Sequence, residues 1–272
     1  MFLFIILFFN ISSLHNISQT YFMTHKLLTK ITGALGYKLI EKKHFKNNRL
    51  LSKDTVLNMH KLLKSIFFNN AIKQLIQIGA NDGKSFDNLN YFIKKNHTKS
   101  LLVEPIKDNF DKLKENYKDY KLISLENSAI SVNNEITYLY KVNPIYENHY
   151  GNHIPAIPSF EKNHLIKHGV KNNHIITEKI NAISIKDLIK KYNIKDFDLL
   201  FLDAEGYDGK IVFDFLSTVK MRPIIIFEYI HLDNIFFKNL IKKIKDENYV
   251  FFSIDENMLC YPKEKKINFE LN

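Results

Sequence analysis

The sequence predicts an α/β fold in which a mostly parallel sheet has helices packed on both faces. Short apolar runs alternate with amphipathic stretches from residue 73 to residue 245, as expected when parallel strands are joined by helices. Two glycines, Gly79 and Gly83, follow the first apolar run and indicate a tight turn. The alternation ends at residues 249–261, where two apolar runs flank a short polar turn and predict an antiparallel hairpin.

The individual elements are predicted from the period and length of each apolar pattern. Strands are predicted over residues 75–78, 101–104, 121–125, 135–142, 197–203, 223–229, 249–254 and 258–261. Helices are predicted over residues 83–95, 108–117, 187–192, 209–216 and 234–245. Residues 23–70 are predicted to form a helical extension ahead of the main domain, which spans residues 71–272. Residues 143–177 are predicted to be a long irregular insertion, of the kind that forms a lid, a binding loop or a disordered segment.

The first 22 residues contain no Asp, Glu, Lys or Arg and begin with an apolar run of nine residues. This run is shorter than the roughly 20 residues that a membrane-spanning helix needs. No basic residue precedes it and no clear cleavage site follows, which argues against a signal peptide. Two interpretations remain open: a hydrophobic tail that touches a membrane surface, or a true start at Met23. We expect a cytoplasmic protein, with membrane association through this tail left open.

The composition argues against a nucleic-acid partner and against disulfides. The formal net charge is +10, but Arg49 and Arg222 are the only arginines in the sequence, and the lysines are spread over its whole length. Arginine is the residue best suited to bidentate recognition of phosphates and bases, and scattered lysines are typical of solvated faces. Cys260 is the only cysteine, which excludes an intrachain disulfide and suits a reducing compartment.

The turn after the first predicted strand has the features of a ligand-binding turn. Gly79 and Gly83 permit positive φ angles and close approach to the backbone, and N–H groups at the predicted helix start would face the same space. The dinucleotide fingerprint requires a glycine where this chain has Asn81, which argues against NAD. Glu104 follows the next strand, where a carboxylate is placed to accept the hydroxyls of a ribose. The turn and the acid together predict an adenosine-type ligand.

Polar residues lie at or just after the carboxyl ends of several predicted strands and would meet in one crevice at that edge of the sheet. These residues are Gly79, Glu104, Asn127, Ser128, Asp203, Glu205 and Glu228. Transfer of a group to a hydroxyl needs a base, and Asp203 or Glu205 is a candidate for it, with Glu228 as the residue that orients the acceptor. In the structural alternative, Asp208 caps the next helix and Asp203 anchors the loop.

The insertion contains aromatic, Asn and His side chains, which suit a sugar because they offer ring faces and in-plane hydrogen bonds. Its five histidines are His149, His153, His164, His168 and His174. Their separations match no standard metal-ligand motif, so no metal site is expected.

Four stretches, residues 77–83, 103–105, 128–131 and 202–208, resemble the FkbM-type branch of S-adenosylmethionine-dependent methyltransferases. The resemblance extends over roughly residues 74–261 and implies a Rossmann-like, doubly wound sheet that binds S-adenosylmethionine. It implies that the glycine turn holds the methionine part, Glu104 the ribose, and the segment after the third strand the adenine. The cofactor-binding residues so implied are Gln77, Gly79, Ala80, Asn81, Gly83, Glu104, Pro105, Asn127, Ser128 and Ala129. Gln77 stands where many such enzymes have an acid, so the methionyl amine would be bound by other groups.

The sequence therefore predicts an S-adenosylmethionine-dependent O-methyltransferase that acts on a sugar hydroxyl of a glycan or nucleotide sugar. Its expected partner is a small-molecule or glycan acceptor, and the oligomeric state is left open. Two alternatives remain: a nicotinamide-dependent sugar oxidoreductase or epimerase, and a lysine-rich nucleic-acid-binding protein.

Overall fold

The computed structural model describes residues 58–69, 72–132, 137–151, 157–267 and 269. The chain divides into two compact units, Met1–Val56 and Leu57–Asn272, of which the second contains all the described residues. The predicted tail over residues 1–22 and most of the predicted extension over residues 23–70 lie outside this part. Among the helices of the described part, none has both the length and the apolar character needed to cross a bilayer.

The described strands are β1 (Gln74–Ile78), β2 (Lys99–Val103), β3 (Ile123–Glu126), β4 (Ala129–Ile130), β5 (Thr137–Val142), β6 (Ile175–Ile180), β7 (Ala182–Ile183), β8 (Leu199–Leu202), β9 (Ile224–Glu228), β10 (Tyr249–Ile254) and β11 (Asn257–Pro262). The described α-helices are α1 (Met59–Asn69), α2 (Asn90–Asn96), α3 (Lys107–Tyr117), α4 (Lys162–Lys167), α5 (Ile185–Lys191), α6 (Asp208–Thr218) and α7 (Asn234–Asp246). Short 3-10 helices span Pro144–His149 and Asn172–His174.

The main sheet has seven strands in the order β10-β11-β9-β8-β1-β2-β3. Strand β1 lies inside the sheet, next to the central strand β8, and pairs in parallel with both β2 and β8, while β11 pairs antiparallel with β9. The order turns back at β1, which is the arrangement of a doubly wound sheet. The predicted Rossmann-like fold with a terminal antiparallel hairpin is therefore confirmed, and the carboxyl ends of β1, β2, β8 and β9 lie at one edge.

The central strands are buried on both faces, as expected for parallel strands covered by helices. In β1, Ile76 and Ile78 pack into the hydrophobic cluster that includes residues of α5, α6 and α7, whereas Leu75 packs into the cluster that includes α1, α2 and α3. Alternating side chains of one strand thus hold both helical layers. The apolar runs in the sequence are continuous for this reason.

The segment after β1 differs from the prediction, because the helix begins at Asn90 and not at Gly83. The Asp82 carboxylate accepts hydrogen bonds from the N–H groups of Lys84 and Ser85 at 2.9 and 2.6 Å, and from the Ser85 hydroxyl at 2.7 Å. These bonds stabilise a turn in place of a helical first turn. Phe86 then takes a φ of +58°, which a right-handed helix does not allow.

The predicted irregular insertion over residues 143–177 has regular structure in its described part. Strands β5 and β6 form an antiparallel pair from Thr137↔Ile180 to Val142↔Ile175, so β6 begins inside the predicted irregular segment. The connection between them includes α4 and has a small core of its own, formed by Val142, Ile157, Leu165 and Val170. Two further short strands that were not predicted, β4 and β7, pair in parallel at Ala129↔Ala182 and Ile130↔Ile183. The remaining predicted elements are present, with ends displaced by a few residues.

Close contact between two backbone segments fixes the carboxyl edge of the sheet. Gly79 has a φ of +80°, and a Cβ added there would lie 1.8 Å from the Asp203 carbonyl oxygen. The Gly79 and Ala80 N–H groups both donate to the Val103 carbonyl at 3.0 Å, and the Asp203 N–H donates to the Ile78 carbonyl at 2.9 Å. The ends of β1, β2 and β8 are therefore held together by main-chain contacts that only glycine permits.

We expect Gly79→Ala to lower the free energy of unfolding by about 3 kcal/mol or more, because it adds a backbone collision to an unfavourable φ. Urea unfolding followed by circular dichroism measures the loss. Gly169→Ala is the matched control, since Gly169 has a similar φ of +84° with no atom within 4 Å of the added Cβ. Its expected cost is only about 1 kcal/mol. Equal losses for the two variants would contradict this account of Gly79.

Candidate functional site

The carboxyl ends of β1, β2, β8 and β9 line a cavity of about 270 Å³, close to the size of small-molecule sites. The structure brings these sequence-predicted site residues to its wall: Gln77, Gly79, Ala80, Asn81, Glu104, Pro105, Ser128, Ala129, Asp203, Glu205 and Glu228. Gly83 and Asn127 do not line it. The crevice expected from the strand ends is therefore present, and eleven of the thirteen predicted site residues line it.

The two remaining residues have structural contacts. Gly83 has a φ of +69° and packs against Leu113 and Tyr117, whose atoms would lie 2.4 and 2.6 Å from an added Cβ. The Asn127 side chain donates hydrogen bonds to the carbonyls of Glu104 and Pro105, at 2.9 and 3.0 Å. These contacts fix the turns after β1 and β2 from outside the cavity.

Glu104 connects the glycine turn to the turn after β2. Its Oε2 accepts from the Asn81 N–H and its Oε1 from the Ile106 N–H, both at 2.9 Å. Burial raises the pKa of Glu104 to about 7, although these two backbone donors favour the ionised form. Each carboxylate oxygen can accept a further hydrogen bond. The position thus combines a fixed carboxylate with remaining acceptor capacity inside the cavity.

Gln77 and Asp87 form a polar pair on the cavity wall. Gln77 is 2% exposed, and its amide nitrogen donates to Asp87 Oδ1 at 3.1 Å. Gln77 Oε1 and Asp87 Oδ2 are both buried and have no hydrogen-bond partner within the described part of the chain. Buried acceptors without donors are costly, so a donor-rich group that reached these two atoms would be bound favourably. Asp87 was missed from the sequence because it lay in a predicted helix, whereas it belongs to the loop that precedes α2.

Three carboxyl groups with raised pKa values lie at the ends of β8 and β9. Asp203 is solvent-exposed at the cavity wall, and desolvation by the surrounding protein together with the charge of Asp87 raises its pKa to about 6. Burial and Asp203 raise the pKa of Glu205 to about 8, and burial and Glu205 raise that of Glu228 to about 9. A group of acids that titrate at different pH values around one cavity is typical of catalytic sites.

Asp208 holds the loop between β8 and α6. It is fully buried, and its carboxylate accepts from the N–H groups of Ala204 and Gly206 at 3.0 and 3.3 Å. Burial raises its pKa to about 7. The sequence left open that Asp203 anchors this loop through hydrogen bonds. In the structure, the side chain of Asp208 makes the hydrogen bonds that hold the loop.

The wall of the cavity on the side of β4 is apolar. It consists of Ile106, Ala129, Ile130, Leu139 and Ile157. Ile157 belongs to the insertion and Leu139 to β5, so the insertion contributes directly to the cavity. A cavity lined by both apolar side chains and several carboxyl groups can accommodate a ligand with one flat hydrophobic end and one polar end.

The insertion also contacts the loop after β8 through His164. A hydrogen bond of 2.9 Å joins His164 Nε2 and Glu205 Oε2, and the Ser159 hydroxyl donates to the Glu205 carbonyl at 2.9 Å. His164, His168 and His231 lie together, with ring centroids 4.6 to 5.4 Å apart. Burial lowers the pKa of His164, and burial with the two other histidines lowers that of His231 to about 4. His231 was missed because it follows β9 and lies outside the insertion.

The chain is similar to one protein family and to several solved structures. A family profile described as the methyltransferase FkbM domain matches residues 77–251, more than half of the chain. Among solved structures, the METTL16 methyltransferase domain is similar at 12% identity, with 76% of this chain and 66% of that chain covered and a TM-score of 0.44. The methyltransferase FkbM from Methylobacillus flagellatus is also similar at 12% identity, with 75% and 48% covered and a TM-score of 0.43.

A TehB-like SAM-dependent methyltransferase from Corynebacterium glutamicum is similar at 9% identity, with 82% of this chain and 96% of that chain covered and a TM-score of 0.38. The matched part corresponds to just under two thirds of the METTL16 domain, at 66%, and to about half of the Methylobacillus protein. A search of curated proteins gives no significant match. On the profile match, which includes the glycine turn, Glu104 and the acids after β8 and β9, this chain belongs to the FkbM methyltransferase family.

Proposed function

We propose that the protein is an S-adenosylmethionine-dependent O-methyltransferase whose acceptor is a sugar hydroxyl. The observation that supports this most directly is that Gln77 and Asp87 line a cavity with Glu104 and each have a buried acceptor, Oε1 and Oδ2, without a hydrogen-bond partner among the described residues. A primary ammonium group donates three hydrogen bonds and has a positive charge, so it would satisfy both atoms at once.

The residues of the cavity fit the three parts of S-adenosylmethionine. Asp87 supplies the negative charge that Gln77 lacks, which gives the methionyl amine an acidic partner. Glu104, fixed by two backbone donors, is suited to the ribose hydroxyls. The apolar wall around Ile106 and Ile130 is suited to the adenine ring. Bound there, the cofactor supplies a methyl group on a positively charged sulfur.

The acids after β8 and β9 are suited to different tasks at neutral pH. With a pKa of about 6, Asp203 is mostly ionised at pH 7 and is the best candidate for the base that takes the proton of the acceptor hydroxyl. With pKa values of about 8 and 9, Glu205 and Glu228 are mostly protonated at pH 7 and can donate hydrogen bonds to acceptor oxygens. This division makes Asp203 the proposed catalytic residue and the two glutamates the residues that orient the acceptor.

The proposed acceptor class depends on the insertion. Ile157 and Pro158 line the cavity, and the segment around them also includes aromatic side chains such as Phe160, whose ring lies 4.5 Å from that of Tyr207. Ring faces combined with carboxyl groups are typical surroundings of a sugar. A small-molecule or glycan acceptor therefore remains the proposed partner. Contact between the tail over residues 1–22 and a membrane is proposed on the sequence alone.

We expect wild-type protein to bind S-adenosylmethionine in isothermal titration calorimetry, and Asp87→Asn to bind it at least tenfold more weakly. The reason is the loss of the carboxylate charge that is hydrogen-bonded to Gln77 on the cavity wall. Glu104→Ala should weaken binding similarly, since the turns after β1 and β2 both lose the carboxylate that accepts their N–H groups. Asp119→Asn, an exposed acid after α3, is the matched control and should bind like wild type. No binding by wild type, or full binding by both site variants, would contradict the proposal.

We expect the affinity for S-adenosylmethionine to rise roughly tenfold between pH 5.5 and pH 7.5. A bound cation that lowers the pKa of one cavity acid by one unit binds more tightly to the ionised acid by about 1.4 kcal/mol, which is tenfold. Asp203 and Glu104, with pKa values of about 6 and 7, become ionised over this interval and attract the cationic ligand. Calorimetry at the two pH values measures the change. S-adenosylhomocysteine, which has no charge on sulfur, should show a smaller rise, and a fall in affinity for the cationic ligand would contradict the assignment.

We expect methyl transfer from labelled S-adenosylmethionine to at least one member of a panel of nucleotide sugars and cell-surface glycans. Asp203→Asn should lower kcat by about a hundredfold or more through loss of the base, in the range typical of general base catalysis. Exclusive labelling of proteins or nucleic acids in the same assay would show that the acceptor class is wrong.

A further inference from the structure

We propose that the protein binds a divalent first-row transition-metal ion, of the zinc or manganese class, between the imidazoles of His164, His168 and His231. His164 lies on α4, His168 directly follows this helix, and His231 lies in the turn after β9. The three side chains therefore come from two distant parts of the chain. Their candidate ligand nitrogens all lie within 4.8 Å of one another.

The ring orientations favour convergence on one point. The His164 ring is inclined by 88° to that of His231 and by 46° to that of His168, and the rings of His168 and His231 are inclined by 64°. Inclined rings can direct one nitrogen each toward a common centre, which parallel stacking prevents. Zinc–nitrogen bonds of 2.0–2.1 Å in a tetrahedral site place the nitrogens about 3.4 Å apart. Since the present separations are at most 4.8 Å, side-chain rotations that shorten them by up to about 1.4 Å would suffice.

The other two described histidines of the insertion, His149 and His174, are arranged differently. There the His174 ring stacks on Tyr146 at 3.8 Å and 8°, and its Nδ1 is 2.7 Å from the Tyr150 hydroxyl. That arrangement is aromatic packing with a hydrogen bond. Among the described residues, metal-ligating side chains gather in groups of three only around His231.

Two carboxyl groups are placed as outer partners of the imidazoles. Glu205 Oε2 lies 2.9 Å from His164 Nε2, and Glu228 Oε2 lies 3.5 Å from His231 Nε2. A histidine that binds a metal through one ring nitrogen commonly donates its other N–H to a carboxylate, which fixes the ring. A bound dication would favour the ionised forms of these two acids, and their negative charge would then lie next to it. The carboxylate contact that is typical of a metal-binding histidine is thus present as a hydrogen bond at His164, and a second carboxyl group lies near His231.

The ligand set selects the class of ion. Three imidazole nitrogens suit zinc and its first-row neighbours, whereas magnesium and calcium prefer oxygen ligands. Glu205, Glu228 and His231 form a second group within 4.8 Å, so manganese, which accepts mixed nitrogen and oxygen ligands, belongs to the same class. Because Glu205 and Glu228 also line the cavity, an ion bound to the neighbouring histidines would restrict the positions of both acids.

The experiment uses the full-length, untagged chain after removal of metals with a chelator. Binding of Zn²⁺ and Mn²⁺ is measured by calorimetric titration, and the amount of bound metal per chain is measured by inductively coupled plasma mass spectrometry. We expect one equivalent on wild type, a rise of several degrees in Tm, and at least tenfold weaker binding by His168→Ala. His97→Asn is the control, because His97 is exposed with a φ of +50°, a conformation that asparagine tolerates. This control should bind the metal like wild type.

Visible spectroscopy of the Co²⁺-loaded wild type tests the site without any substitution. An intense ligand-field spectrum with imidazole ligands supports the proposal, and the weak spectrum of hydrated Co²⁺ overturns it. Absence of stoichiometric Zn²⁺ and Mn²⁺ binding by wild type also overturns it. Loss of binding in Glu228→Gln but not in His168→Ala would place the ion on the carboxylates and overturn the imidazole site. Binding of S-adenosylmethionine, measured in parallel on metal-free and loaded protein, tests the proposed function separately.

Discussion

The contact between Gly79 and the Asp203 carbonyl is the constraint on which the rest of this site depends. It brings the end of β8 against the turn that leaves β1, closer than any residue with a Cβ would allow. The same turn is tied to β2 through the Val103 carbonyl and through Glu104. Since these bonds involve main-chain atoms, the positions of the acids around the cavity follow from the backbone of the sheet.

Much of the fold could be predicted because burial on both faces leaves a direct trace in the sequence. Strands such as Leu199–Leu202 are continuous apolar runs, and the terminal hairpin has a polar turn between two such runs. The helix expected at Gly83 failed for a local reason, since one side chain, Asp82, bonds three donors and stabilises a turn. Strands as short as Ala129–Ile130 and Ala182–Ile183 have too few residues to show a period.

The site was predictable where it depends on strand ends and unpredictable where it depends on loops. Glu104 and Asp203 follow buried strands and Glu228 is the last residue of one, and parallel strands end at one edge, so their convergence follows from topology. Asp87 and His231 lie in loops whose paths are set by tertiary contacts, and no spacing rule places them beside Gln77 or His164. Asn127 occupied a predicted site position but faces the main chain, because the direction of a side chain after a strand end depends on the turn that follows.

The crowding of acids around one recess has a consequence for the turnover of the proposed reaction. Each carboxyl group there is partly deprived of water, and its neighbours oppose its ionisation. A ligand with positive charge relieves this mutual repulsion while it is bound. Donation of the methyl group would turn the sulfonium into an uncharged thioether, so the relief ends at the moment of transfer. Under the proposed chemistry, the spent donor is held less tightly than the fresh one, and exchange between them is favoured by electrostatics alone.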